Sequence, residues 1–144
     1  MPAALQGLFS LAGRILLATI FLASGLHHGN DLVTNFAKTT HGLRNVLPMP
    51  EVLLPGAVAF LLIGGVLLVL GYQARLGALL LFAFLGLATY FFHNFWTMEG
   101  KAAQEQMIHA MKNLAMMGAM LFVIANGAGA WSVDGRLKKP AQVR

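Results

Sequence analysis

Side chains able to do chemistry gather between residues 90 and 113. They read Tyr90-Phe91-Phe92-His93-Asn94-Phe95-Trp96, then a short polar connection, then His109-Ala110-Met111-Lys112-Asn113. His93 and Trp96 are three residues apart and would share a helix face, while His109, Lys112 and Asn113, at i, i+3 and i+4, would share another. Polar groups at the depth of a spanning helix are costly unless paired or hydrated, so such a face should point into a bundle or a wet cavity. Aromatic walls from Phe91, Phe92, Phe95 and Trp96, with donors from His93, His109, Lys112 and Asn113, suit a lipophilic ring bearing carbonyls. A quinone is the cofactor of that description, and histidine can pass the proton that accompanies its reduction. The candidate ligand-binding set is His27, His93, Asn94, Trp96, His109, Lys112 and Asn113. No residue is assigned a catalytic role.

Two other readings compete. Trp, Tyr, His and Lys also collect at the headgroup level of membrane helices purely as anchors. Met107 and Met111, and Met116 and Met120 with Met117 beside them, offer thioethers of the kind that suit Cu(I). Yet no HxH or HxxxH pair accompanies them, adjacent His27 and His28 would diverge on a helix, and methionines at helical spacing usually pack. No metal site is expected.

The elements that must position these residues follow from composition. Of 144 residues, 58% are hydrophobic and 10% charged, with mean hydropathy +0.70. A soluble domain carries roughly 25% charged residues, so lipid must be the main solvent here. The absence of cysteine excludes disulfides, thiolate chemistry and cysteine-bound iron–sulfur clusters. A net charge of +5 collected at helix ends is a topology signal and not a nucleic-acid footprint. No P-loop, dinucleotide fingerprint, serine-nucleophile elbow or zinc-protease helix is present.

Four apolar runs, at about 8–26, 52–70, 76–95 and 113–131, are each long enough to cross a hydrocarbon core of ~30 Å at ~1.5 Å per residue. Backbone satisfaction in lipid requires them to be helical. The fold expected is all-α: an integral membrane four-helix bundle over residues 1–131. A short amphipathic helix near 30–43, with apolar Leu32, Val33, Phe36, Ala37 and Leu43, should occupy the first extracytoplasmic loop. Pro48, Pro50 and Pro55 reset the chain before the second run. Arg14 reads as a headgroup anchor snorkelling from the first span, and residues 132–144 as a loose, basic cytoplasmic tail. Arg14, Arg75, Arg136, Lys138, Lys139 and Arg144 outweigh Asp134 on one side, so the positive-inside rule puts both termini in the cytoplasm. His27, His28, His41, His93 and His109 then all fall on the extracytoplasmic side.

Taken together, several short motifs resemble the DoxX family of small membrane proteins over about residues 13–134. They are Gly13-Arg14-Ile15-Leu16-Leu17, Ser24-Gly25-Leu26-His27, Gly64-Gly65, Leu70-Gly71-Tyr72-Gln73-Ala74-Arg75-Leu76-Gly77-Ala78, Ala88-Thr89, His93-Asn94-Phe95-Trp96 and His109-Ala110-Met111-Lys112-Asn113-Leu114-Ala115. One departure is His28, where many relatives carry a lysine after the first span. The resemblance implies a four-helix protein of the bacterial inner membrane. One branch of that family is similar to the small subunit of a thiosulfate:quinone oxidoreductase, and other members are associated with oxidative-stress and sulfur-handling redox partners. The function expected is an accessory, quinone-linked subunit of a membrane redox complex, with no intrinsic cofactor and no catalysis alone. Lipids and partner subunits, or further copies of the chain, would be its contacts. The alternative is a purely structural or assembly subunit without ligand chemistry.

Overall fold

The computed structural model describes residues 1–137. Helices run over Ala3–Leu43 (α1), Pro50–Leu70 (α2), Ala74–Phe92 (α3), Gly100–Asn126 (α4) and Val133–Leu137 (α5), with one 3-10 turn at Phe95–Thr97. Among the described residues α1 to α4 are each long and apolar enough to cross a membrane. Each packs antiparallel on the next in chain order. One end of the bundle, the α2–α3 end, also holds the start of α1 and the end of α4. The other, the α3–α4 end, holds the α1–α2 connection.

The core draws on all four spans: Ala18 and Phe21, Leu61 and Leu68, Leu81 and Leu85, and Met120 are buried together. The closest approach is between α2 and α3. A Cβ at Gly64 would lie 3.0 Å from the Gly77 carbonyl oxygen, and one at Gly77 would lie 3.0 Å from that of Gly64. The backbones therefore touch, as small residues allow in lipid, where dispersion replaces the hydrophobic effect as the force between helices.

Several element ends depart from the hydropathy pattern. The first helix does not stop at the polar His27. It continues to Leu43 across a kink at Asn35, whose φ and ψ of −138° and 39° are non-helical. The amphipathic segment is thus helical but joined to the first span, and its apolar stripe is only partly covered, with Leu32 and Leu43 half-buried and Val33 86% exposed. Polarity at 27–31 changes a helix's solvent without breaking it; the break comes at the prolines, where Pro50 opens α2 after Met49 at φ 48°. At the end of α3, His93 leaves helical geometry (φ −120°, ψ 40°). The fourth helix begins at Gly100, well before the apolar run, and ends at Asn126 because Gly127 turns to φ 77°.

Arg14 overturns the anchor reading. It is only 3% exposed. Its Nη1 donates to the carbonyls of Leu68 (3.2 Å) and Val69 (3.0 Å) at the end of α2, and its Nη2 donates to the Trp131 carbonyl. A cation at a helix C-terminus complements the dipole and satisfies orphan carbonyls. Gly71, at φ 63°, completes the stop: its N–H bonds Leu68 O and that of Tyr72 bonds Leu67 O, each at 3.2 Å.

Residues 132–137, the described part of the expected tail, are not loose, and the connection before them is held too. Ser10 Oγ donates to Ala128 O (2.7 Å), Asp134 N–H donates to Gly71 O (2.9 Å), and the Asp134 carboxylate accepts from Gln73 N (2.8 Å) and Ala74 N (3.0 Å) at the start of α3. Lys138, Lys139 and Arg144 of the basic tail lie outside the described residues.

Candidate functional site

At the α3–α4 end the expected residues separate into three groups. In the first, His93 ends α3 and meets α4. Its Nδ1 is 2.8 Å from Gln106 Oε1, and its ring stacks on that of His109, with centroids 5.1 Å apart and planes 15° apart. With Gln106 Oε1 accepting, Nδ1 carries the ring proton and Nε2 is left as an acceptor. One turn deeper, buried Asn113 donates its Nδ2 to Thr89 Oγ1 (3.0 Å), and Thr89 in turn donates to Leu85 O (2.7 Å). Thr89 and His93 are i, i+4 on α3, and Gln106 and Asn113 are i, i+7 on α4. The facing stripes form a short polar ladder between two apolar helices.

The second group is an open cleft of about 460 Å³. Tyr90, Phe91 and Phe92 from the last turn of α3, Asn94 and Trp96 through Met98 from the 3-10 turn, and Asn45 and Val46 from the α1–α2 connection line it. Tyr90 packs edge-on against Phe91 and lies 6.3 Å from Trp96, centroid to centroid. The Arg44 guanidinium bonds Glu51 Oε1 at 2.7 Å and 3.2 Å, which closes the connection carrying Asn45 and Val46.

The third group stands apart from both. Lys112 is exposed on α4 between Met111 and Leu114, each 63% exposed. His27 is exposed on α1, 3.6 Å from Asp31. Gly25 packs on Leu61 and Leu62, and Gly29 faces Val58, so His27 is level with the middle of α2. Gly64 faces Gly77 and Leu81, which puts His93 beyond the first turn of α2. At ~1.5 Å per residue the two histidines differ in height by roughly 15 Å. The structure therefore brings together His93, His109 and Asn113, seats Asn94 and Trp96 in the neighbouring cleft, and leaves His27 and Lys112 out.

Gln106, Thr89 and Asn45 were missing from the sequence-derived set. For Gln106 and Thr89 a signal existed: each lies at helical spacing from a chosen residue, Gln106 three before His109 and Thr89 four before His93. Asn45 carried none, because only tertiary packing sets the α1–α2 connection beside α3. Among the described residues no cluster of three or more His, Cys, Asp or Glu could hold a metal.

Comparison with known proteins adds the family. The DoxX family model matches residues 9–94. The chain belongs to the DoxX family. A second family model, SURF4, matches residues 52–140. Inner membrane protein YphA of Escherichia coli (strain K12) is 33% identical over 128 residues, covering 88% of each chain. Inner membrane protein YqjF of the same organism is 29% identical over 129 residues, covering 90% of this chain and 92% of its own. No solved structure matches.

In this DoxX-family membrane protein the DoxX match covers α1 to α3 and stops at Asn94. It includes Thr89, Tyr90, His93 and Asn94 but none of their partners on α4. Gln106, His109 and Asn113 fall inside the SURF4 match instead.

Proposed function

We propose that this DoxX-family protein is an accessory subunit of a membrane redox system and holds a quinone-like ring in the aromatic cleft at the α3–α4 end. The observation that carries the reading is the cleft itself: a volume of about 460 Å³, Tyr90, Phe91 and Trp96 as walls, and the amides of Asn45 and Asn94 beside them. That is a mostly apolar site with a few fixed polar groups, in the size range of small-molecule pockets. The ring would stack on the aromatic walls, and the amides would donate to its carbonyls. His93 lies outside the cleft lining, packed on Gln106 and His109, and makes no contact with the ring. A bound quinone supplies the electron acceptor. The electrons reach it from a partner subunit, since the chain carries no cysteine and no flavin or haem motif.

In this reading the protein lies in the bacterial inner membrane, as the names of its relatives suggest. Residues 1–131 form the transmembrane unit, both termini are cytoplasmic, and the cleft is extracytoplasmic. Arg75 and Arg136 at the α2–α3 end support that orientation.

Tryptophan fluorescence tests the proposal. The chain has two tryptophans, so Trp131→Phe leaves Trp96 as the sole reporter. In lipid nanodiscs a short-chain quinone should quench it saturably, and Asn94→Ala or Asn45→Ala should weaken binding by about tenfold, the worth of one hydrogen bond to a strong acceptor. Quenching that rises linearly with quinone dissolved in the bilayer, equal in both variants, refutes the site.

A structural-subunit reading rests on Lys112, a cation placed on the most weakly covered span among Ile108, Met111 and Leu114. An exposed charge in such a band favours a partner chain that pairs it. On that reading Lys112→Met breaks a larger assembly, seen by native electrophoresis, and leaves quinone quenching untouched.

A further inference from the structure

We infer that the groove at the α2–α3 end is a site for a phospholipid headgroup bearing a primary ammonium beside its phosphate. The groove encloses about 510 Å³ where the α2–α3 turn, the end of α4 and the start of α5 meet. Gln73, Arg75, Asn126, Gly127, Gly129 and Asp134 are among its walls.

Arg75, in the first turn of α3, donates one Nη2 bond to Ala125 O at 3.2 Å, which holds the guanidinium by the groove and leaves other donors open. Asp134 forms another part of the wall. Each of its carboxylate oxygens accepts one backbone N–H, from Gln73 and Ala74, which fixes the group's plane while a further lone pair remains on each. Arg75 and Asp134 do not pair with one another. The ion pairs among the described residues are His27–Asp31, Arg44–Glu51 and Lys101–Glu105. One groove therefore carries Arg75 and the Asp134 carboxylate on separate parts of its wall, although the buried Arg14 guanidinium also attracts Asp134 and offsets part of its charge. A simple anion would be drawn by Arg75 and repelled by Asp134. A ligand with its own separated phosphate and ammonium complements both.

Neutral groups extend the match. Asn126 commits its Nδ2 to Phe122 O (2.9 Å), which leaves Oδ1 as an acceptor for an ammonium proton. The backbone amides of Ala128, Gly129 and Ala130 have no backbone acceptor among the described residues, and backbone N–H groups are good phosphate ligands. Position supplies the rest. The groove lies where α3 begins and α4 ends, both membrane-crossing by length and composition, so it opens at the level of lipid headgroups. It is at the opposite end of the bundle from the aromatic cleft, and its test is independent of the quinone reading.

The test is lipid titration of the full-length, detergent-solubilised protein followed by native mass spectrometry. The probes are phosphatidylethanolamine, phosphatidylcholine and phosphatidylglycerol with identical acyl chains, and inorganic phosphate as competitor. The expected result is that phosphatidylethanolamine binds about tenfold more tightly than either of the others, the ratio one charge-assisted hydrogen bond supplies. Asp134→Asn should abolish that preference and Asn126→Leu should reduce it, while Arg75→Gln should weaken all three lipids alike by loosening the shared phosphate. The comparison among lipids uses the wild-type protein, so a poorly folding variant cannot mask the answer. Equal binding of the three lipids shows ordinary annular contact and overturns the site. Phosphatidylglycerol binding as tightly as phosphatidylethanolamine, or displacement of bound lipid by inorganic phosphate, shows a site for phosphate alone and overturns it too. A preference that survives Asp134→Asn puts the lipid elsewhere, which also refutes the assignment.

Discussion

Replacing Arg14 should separate its two jobs. The guanidinium is buried, and it donates to Leu68 O, Val69 O and Trp131 O. In Arg14→Met, Leu68 O keeps Gly71 N–H as a donor. Val69 O and Trp131 O have no other donor among the described residues, and leaving each unpaired costs about 1–3 kcal/mol. Two contributions oppose that loss. Removing the cation recovers a desolvation penalty of order several kcal/mol. Removing Nε recovers more, because this N–H is buried with no partner. The cation's attraction to the α2 C-terminal dipole and to Asp134 is lost as well, so the net expectation is a destabilisation on the order of 2 kcal/mol. Arg14→Lys should behave differently. An ammonium still reaches the carbonyls that end α2, but a point charge cannot also span to Trp131 as the planar fork does. The lysine variant should therefore keep most of its stability and release residues 127–137. Equilibrium unfolding in mixed micelles measures the first effect. Emission of Trp131 in a Trp96→Phe background measures the second, because the Trp131 ring packs over Gly7, where a Cβ would come within 2.5 Å of it. If Arg14→Met is as stable as wild type and Trp131 emission does not move, the guanidinium is not what holds the C-terminal segment, and the reasoning fails.

Two further outcomes are expected from the same unfolding assay. Gly64→Ala or Gly77→Ala should each cost about 1–3 kcal/mol by forcing α2 and α3 apart. The double variant should cost less than the sum, since one separation accommodates both methyl groups. Asn113→Leu should cost only about 0.6 kcal/mol, a typical value for a polar contact between membrane helices, because Thr89 keeps its bond to Leu85 O. A loss of several times that size would mean that the polar ladder does more than pair two side chains.

Hydropathy and residue spacing were enough to establish lipid as the solvent and four helices long and apolar enough to span it. Those features follow from local properties: the transfer free energy of a run of residues, and the conformations that Gly and Pro permit. Part of the site was legible for the same reason. His93, His109 and Asn113 could be picked because they stand near the adjoining ends of α3 and α4, but the same spacing also picked Lys112, which the structure leaves exposed. Tertiary structure alone decided the rest. It set the axial registers of α1 on α2 and α2 on α3, through contacts such as Gly25 on Leu62 and Gly64 on Gly77, and so removed His27 from the layer of His93. Hydropathy carries no information about register or helix rotation, because lipid-facing and core-facing residues are equally apolar. It could not tell a snorkelling Arg14 from a buried one, since the three carbonyls that hold the guanidinium come from residues 54 to 117 positions away in sequence. Nor could it place Asn45 beside Tyr90, or fold Asp134 back onto the start of α3. Those positions are chosen by which partner satisfies a buried polar group, and that choice exists only once the helices have packed.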